Sequence, residues 1–291
     1  MCGIAGLINL SNAPVSPVVL QKMTDAIAHR GPDGEGQWIE GNVGIGHRRL
    51  AIIDLSPAGH QPMVSADHRY LLSYNGEVYN FREIRTELEA KGYWFRSKTD
   101  SEVVLNALAE WGHKALTRFN GMFALALWDR KERTLLLARD RYGIKPLYVS
   151  QQGKTFAFGS EQKAIWAMPG FIRRMDKPAL LEYFTFQNIF TDRTLVEDIQ
   201  LLPAGHYATL DLKHAQPTLR QTQYWDYNFC EPNEQGSDEE YREELDRLFR
   251  QAVNRQLVTD VELGSYLSGG MDSGSITAVA AESFPNLKSF T

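Results

Sequence analysis

Met1-Cys2-Gly3-Ile4-Ala5-Gly6 opens the chain, and the reading of this stretch decides the rest. Removal of an initiator Met, which a small second residue such as Cys allows, leaves a leading cysteine that carries a thiol and a free α-amine. A free α-amine titrates at about 7.7–8.0 and a free thiol near 8.5, so each exchanges a proton near neutrality at little cost. An N-terminal amine can activate an adjacent nucleophile without a histidine. Taken alone, Cys2 reads better as a small apolar residue in a first strand, because free cysteine is among the most buried residue types. Residues further along reverse that preference.

Working outward, Ile4, Gly6 and Ile8 alternate with Ala5, Leu7 and Asn9 in an apolar run closed by Ser11-Asn12-Ala13-Pro14, the pattern of a buried strand. Ser16 as N-cap, Pro17 at the first helical position and Val19, Leu20, Met23 and Ile27 on one face predict a helix. It stops at His29-Arg30-Gly31-Pro32-Asp33-Gly34. Strands are expected at 37–39, 43–46, 51–54 and 70–74. An Asn80/Glu83 capping-box pair opens a helix ending at Gly92, and a second helix runs from Asp100 to Gly112. Further strands are expected at 122–129, 134–140, 147–150, 156–159 and 205–212, with a helix at 177–186. Residues 2–213 form one domain on this reading, and 214–236 a linker. Ser237 and Glu240 then cap an amphipathic helix, followed by a strand at 264–267, the loop 268–273, a helix at 274–283 and a strand from Leu287. That order describes the opening of a doubly wound domain, here residues 237–291.

Composition excludes several classes. A net charge of −5 with scattered Lys and Arg offers no footprint for nucleic acid. No apolar run approaches a membrane span, and the first Lys is Lys22, so no signal peptide is read. Two cysteines, Cys2 and Cys230, fit a reducing, cytoplasmic compartment and argue against a disulfide framework or a cysteine-rich metal site. Cys230 receives no role.

The loop Ser268-Gly269-Gly270-Met271-Asp272-Ser273 lies between a strand and a helix, where amides and the positive helix end favour an anion. No Gly-Lys-Ser/Thr follows, so it is not the P-loop pattern. In the first domain, Asn75-Gly76-Glu77 offers an amide side chain beside a glycine N–H, the makings of an oxyanion hole. Asn-Gly is also the commonest hairpin turn, and on these residues alone the turn is the better reading. Arg49 suits a carboxylate or the surface, and Asp100 an ammonium or a helix cap.

Together these motifs resemble a family. The runs Cys2-Gly3-Ile4, His29 to Asp33, His47-Arg48-Arg49-Leu50-Ala51-Ile52-Ile53-Asp54, Asn75-Gly76-Glu77-Val78-Tyr79-Asn80, Thr99-Asp100-Ser101-Glu102 and Gly121-Met122-Phe123-Ala124 are similar to the glutaminase domain of class II amidotransferases. Arg139 to Tyr148 and Leu202-Pro203-Ala204-Gly205-His206 extend the match, and with the loop 268–273 the chain resembles the glutamine-dependent asparagine synthetases. The resemblance implies an α+β fold: an N-terminal-nucleophile αββα sandwich followed by the start of an α/β PP-loop, adenine nucleotide hydrolase-like, domain. It implies that Cys2 attacks glutamine with its own α-amine as base, and that Asn75 and Gly76 hold the oxyanion. Arg49 would bind the glutamine carboxylate and Asp100 its ammonium, with Leu50, Ala51, Ile52, Ile53 and Glu77 completing the pocket. Leu267, Ser268, Gly269, Gly270, Asp272 and Ser273 would meet ATP and its pyrophosphate, with Mg²⁺ and aspartate as the family's further reactants and no metal ligand assigned here. A homodimer is possible.

The departures set the expectations. Family members continue well past the pyrophosphate loop, so glutaminase chemistry is expected of this chain and asparagine formation is not. Gly274 stands where many members have serine. Two alternatives stay open: an amidotransferase acting on another carboxylate, and an inactive glutamine-binding module.

Overall fold

A computed structural model describes residues 1–214, 217–230 and 236–291. In chain order its elements are β1 (Gly3–Asn9), α1 (Pro17–Asp25), β2 (Gly34–Glu40), β3 (Val43–Arg49), β4 (Met63–Val64), β5 (Tyr70–Val78), α2 (Phe81–Ala90), α3 (Asp100–Trp111), β6 (Gly121–Asp129), β7 (Thr134–Arg139), β8 (Tyr148–Gln152), β9 (Thr155–Gly159), α4 (Gln162–Trp166), α5 (Lys177–Phe186), β10 (Ile199–Leu201), β11 (His206–Asp211), β12 (Leu219–Gln223), α6 (Asp238–Gln256), β13 (Gly264–Tyr266), α7 (Met271–Ser283) and β14 (Lys288–Phe290). They fall into two units, Met1–Ala51 with Ser56–Asp226, and Ile52–Leu55 with Tyr227–Thr291.

The first unit follows from period-two alternation. One sheet has the order β10-β8-β9-β1-β3-β2 and the other β12-β11-β7-β6-β5-β4, with antiparallel neighbours throughout. Ile4 and Ile8 of β1, Val43 and Ile45 of β3 and Phe158 of β9 share one buried cluster with Leu71 of β5, Trp128 of β6 and Leu137 of β7. That cluster is the core between the sheets. The other face of β1, Ala5 and Leu7, packs with Leu20, Met23 and Ile27 from the α1 segment and with Ala164 and Ile165 of α4. Helix α3 covers the second sheet, burying a run from Val103 to Leu108, and α2, which buries Phe81, Ile84 and Leu88, packs on α3. The expected helix–sheet–sheet–helix layering is present. Among the described residues no helix is long and apolar enough to cross a membrane.

Four local expectations change. Residues 51–54 are irregular rather than a strand, because Asp54 adopts φ +53 and the segment pairs with no strand. Asn80 forms no capping box: its side chain donates to Arg118 O (3.0 Å) and accepts from Asn120 N–H (2.9 Å), tying the start of α2 to the turn before β6. Thr99, not Asp100, caps α3, its Oγ1 accepting from Glu102 N–H at 3.3 Å. Within the stretch expected as a linker, Leu219–Gln223 pairs with β11, and the first unit runs on to Asp226. Residues 215, 216 and 231–235 of that stretch lie outside the described residues.

In the second unit the Ser237/Glu240 capping box forms as expected. Strands β13 and β14 pair in parallel, and α6 packs on α7 around Val253, Val279 and Ala280. Strand β13 stops at Tyr266, one residue short of Leu267, and α7 starts at Met271, earlier than expected.

Candidate active site

The leading strand places Cys2 by parity. Just before β1, Cys2 has the same parity as Ile4 and Ile8, which face the inter-sheet core. The register sets Ile4 opposite His47 and Gly3 opposite Arg48, so Arg49 falls beside Cys2. His47 crosses to the other sheet, its Nδ1 3.2 Å from Ser73 Oγ. Two residues beyond that bridge on β5 lies Asn75, and two further lies Glu77, both with the parity of Ser73 and Leu71. Cys2, Arg49, Asn75 and Glu77 therefore meet at one mouth of the sandwich.

Several bonds hold the thiol there. Cys2 Sγ accepts from Leu50 N–H (3.3 Å) and lies 3.5 Å from Leu50 O. Its carbonyl accepts from Arg30 Nε at 2.9 Å, while Arg30 Nη1 binds Glu161 Oε1 at 3.0 Å. Burial works against ionisation of Glu161, but Lys163, Arg30 and His29 hold it at about 2, so it is a permanent anchor at neutral pH. Burial pushes the Cys2 thiol up, opposed by the Leu50 N–H, the terminal amine and Arg49. The thiol is therefore protonated near neutrality and needs a base. Burial pushes the chain's α-amine, here on Met1, down, and the Arg30 and Lys145 cations push the same way.

The Asn75-Gly76 pair is not a turn. Both lie inside β5, opposite Ala124 and Phe123. Phe123 gives its N–H to Asp140 and accepts from the Asp140 N–H, so its hydrogen bonds point away from β5. Gly76, opposite it, directs its N–H to the far edge of β5, where Tyr74 N–H meets Gln61 Oε1 (2.7 Å) and Val78 N–H meets Asp100 Oδ2 (3.0 Å). A Cβ at Gly76 would stand 2.3 Å from Met122 O, so only glycine fits. Next to this N–H, Asn75 is 1% exposed and its Nδ2 is buried with no hydrogen-bond partner among the described residues. Leaving such a donor unpaired costs about 1–3 kcal/mol, a cost expected where a site waits for an acceptor.

Freed from capping by Thr99, Asp100 accepts from Tyr74 Oη (2.8 Å) and Val78 N–H. Burial pushes its carboxyl up, opposed by those hydrogen bonds. Arg49 Nη1 donates to Ser56 O at 2.9 Å, leaning toward the 56–59 turn. Leu50 and Ala51 stay with the first unit, whereas Ile52 and Ile53 group with the second, where Asp260 N–H donates to Ile52 O (3.0 Å). Sequence reasoning gave no role to Arg30, Glu161 or Lys145, although the first and last lie in motifs it had singled out. Two clefts of the first unit, about 590 and 740 Å³, are lined by other residues, including Asp176 and Arg193 in one and Trp166 and Tyr183 in the other.

In the second unit, Ser268 and Ser273 hydroxyls lie 3.1 Å apart, and Ser273 Oγ accepts from Ser268 N–H at 3.2 Å. Gly269 takes φ +81, and the loop opens exposed onto the first turn of α7. These donors suit an anion such as pyrophosphate. Among the described residues no three His, Cys, Asp or Glu side chains gather, and no step is assigned to Mg²⁺.

With this geometry in place, comparison with known proteins is decisive. The family model for the glutamine amidotransferase domain matches residues 1–225. The chain belongs to that family. The asparagine synthase model matches residues 244–291. Among curated relatives, asparagine synthetase [glutamine-hydrolyzing] 3 of Bacillus subtilis is 38% identical over 98% of this chain and 46% of its own length. Asparagine synthetase 1 of the same organism is 36% identical over 100% and 45%. A putative asparagine synthetase of Methanocaldococcus jannaschii is 33% identical over 97% and 57%. The chain thus spans about half the length of the first two relatives. Among solved structures, the fold is similar to glutamine phosphoribosylpyrophosphate amidotransferase from B. subtilis, with a TM-score of 0.57 at 16% identity, covering 99% of this chain and 65% of that one.

Proposed function

We propose that the first unit hydrolyses glutamine to glutamate and ammonia, with Cys2 as nucleophile. The observation that carries this reading is the buried Asn75 Nδ2, without a hydrogen-bond partner among the described residues, at the same mouth as Cys2. Removal of Met1 frees the Cys2 α-amine, which takes the thiol proton as sulfur attacks the side-chain amide carbon. Asn75 Nδ2 and the Gly76 N–H stabilise the oxyanion, each such donor lowering the barrier by about 2.7–4 kcal/mol. The proton passes to the leaving nitrogen, giving ammonia and a glutamyl thioester, and water then cleaves the thioester to glutamate. Arg49 meets the glutamine carboxylate and Asp100 its ammonium, with Glu77, Leu50 and Ala51 alongside.

At the level of the whole protein, the relatives' names support an asparagine synthetase, in which ATP activates the aspartate carboxylate and ammonia displaces AMP. The loop 268–273 would hold the pyrophosphate end of ATP. On this chain alone, glutamine hydrolysis is expected without asparagine. Glutamate and ammonia release by the Met1-processed chain, its loss in Cys2→Ala, and labelling of Cys2 by a glutamine-like electrophile test the reading. Turnover that persists in Cys2→Ala overturns it.

A further inference from the structure

Lys145 is a buried cation that the steps above do not use. It is 5% exposed, and its hydrogen-bond partner among the described residues is the Met1 thioether, Nζ to Sδ 3.2 Å. A thioether is a weak acceptor, poor compensation for a buried ammonium. The backbone around it is fixed. Asp140, fully buried, accepts the N–H groups of Phe123, Tyr142, Ile144 and Lys145 at 3.0–3.1 Å. Arg139 Nε donates to Lys145 O at 2.9 Å and Nη1 to Leu202 O at 2.8 Å. A loop tied this densely holds the ammonium in one place.

We propose that Lys145 is a positioning residue for the leading cysteine: removal of Met1 takes away the thioether, and the rigid Asp140 loop holds the ammonium against the freed α-amine and thiol of Cys2. This rests on the glutaminase reading. The ammonium keeps the α-amine in its neutral, proton-accepting form and favours the thiolate once the proton has left. Other charges bear on the same point: Arg30 and Arg49 act with Lys145, while Asp33, Glu77 and Asp100 act against it. Burial of Lys145 itself opposes its charge, which Glu77, Cys2 and Asp140 sustain. With three cations set against three carboxylates, loss of one cation is felt at Cys2.

The test compares Lys145→Met and Lys145→Arg in the full chain, each confirmed by intact mass to begin at Cys2. Two readouts are taken: the pH profile of kcat/KM for glutamine, and the pH dependence of Cys2 alkylation by iodoacetamide. In Lys145→Met the acid limb of the first and the midpoint of the second move up by about 0.5–1 pH unit, as expected on losing a nearby positive charge. Lys145→Arg restores both toward wild type. Unmoved profiles in a folded Lys145→Met, or a Lys145→Arg that shifts as Lys145→Met does, overturn the inference. Lys145→Gln serves the same comparison where Lys145→Met melts early. A wild-type chain that alkylates at Cys2 but releases no glutamate defeats the glutaminase reading, while the alkylation comparison still decides on Lys145.

Discussion

Replacing Asn75 by alanine separates a catalytic donor from a structural one. A buried side chain that holds its surroundings together costs stability when removed, whereas one that waits for a substrate oxygen does not. Asn75 Nδ2 has no partner among the described residues, so Asn75→Ala deletes a desolvated, unsatisfied group whose burial costs about 1–3 kcal/mol. Against that stands the loss of packing, about 1 kcal/mol for a small side chain. The two offset, and the thermal midpoint is expected to move by less than about 4 °C, the shift of roughly 1 kcal/mol in a chain of this size. In the transition state the same amide meets an oxyanion, and its loss is expected to cost about 10²–10³ in kcat with little change in KM. Glutamate release under saturating glutamine, alongside a melting curve, checks both halves. A kcat within threefold of wild type, or a drop in activity matched by a large drop in midpoint, would refute the oxyanion assignment.

Gly76→Ala forces a Cβ to 2.3 Å from Met122 O and 2.7 Å from Phe123 Cα, so denaturant titration should show a loss of about 1–3 kcal/mol, and an unchanged midpoint would contradict the packing. His47, fully buried, is pushed down from 6.5 to about 3 by burial, with His60 and Arg49 adding to it. The unfolded chain then binds the extra proton, so stability is full above pH 6.5 and is lost as pH falls toward 3, roughly 5 kcal/mol in all. His47→Gln should flatten that acid slope in denaturant titrations across pH 3–7, and a slope as steep as wild type counts against it. Asp100→Asn should raise KM for glutamine about 10- to 100-fold, the worth of a charged hydrogen bond, with kcat much less affected; an unaltered KM removes Asp100 from the ammonium site. Because burial raises the Asp100 carboxyl, the native state holds that proton more tightly than the unfolded chain and stability falls as pH rises from about 3.8, a slope that Asp100→Asn should abolish.

The sheets were legible because a short apolar run bounded by turn residues is a local signal, which β1 and the first half of β5 carry. Asn75-Gly76 misled the residue-level reading for the same reason: the dipeptide favours a turn locally, but nine residue pairs of β5 with β6 run straight through it. Asp100 was ambiguous between cap and ligand until Thr99 took the cap. Arg30 and Glu161 meet across 131 residues of sequence, and Lys145 reaches Met1 across 144, separations at which no periodicity or spacing carries information. Only the fold brings those charges to Cys2.

The two units differ in how far they satisfy their own architecture. In the first, both sheets share one core and each outer face carries helices. In the second, β13 and β14 are parallel, and parallel strands are stable when both faces are covered. Among the described residues the buried cluster of that unit is Val253, Val279 and Ala280, while Tyr266, Met271 and Phe290 are more than half exposed. The chain spans about half the length of the first two relatives. On the function proposed above, glutamine hydrolysis draws on the first unit and acyl-adenylate chemistry would draw on the second, so the first activity is expected to be separable from the second.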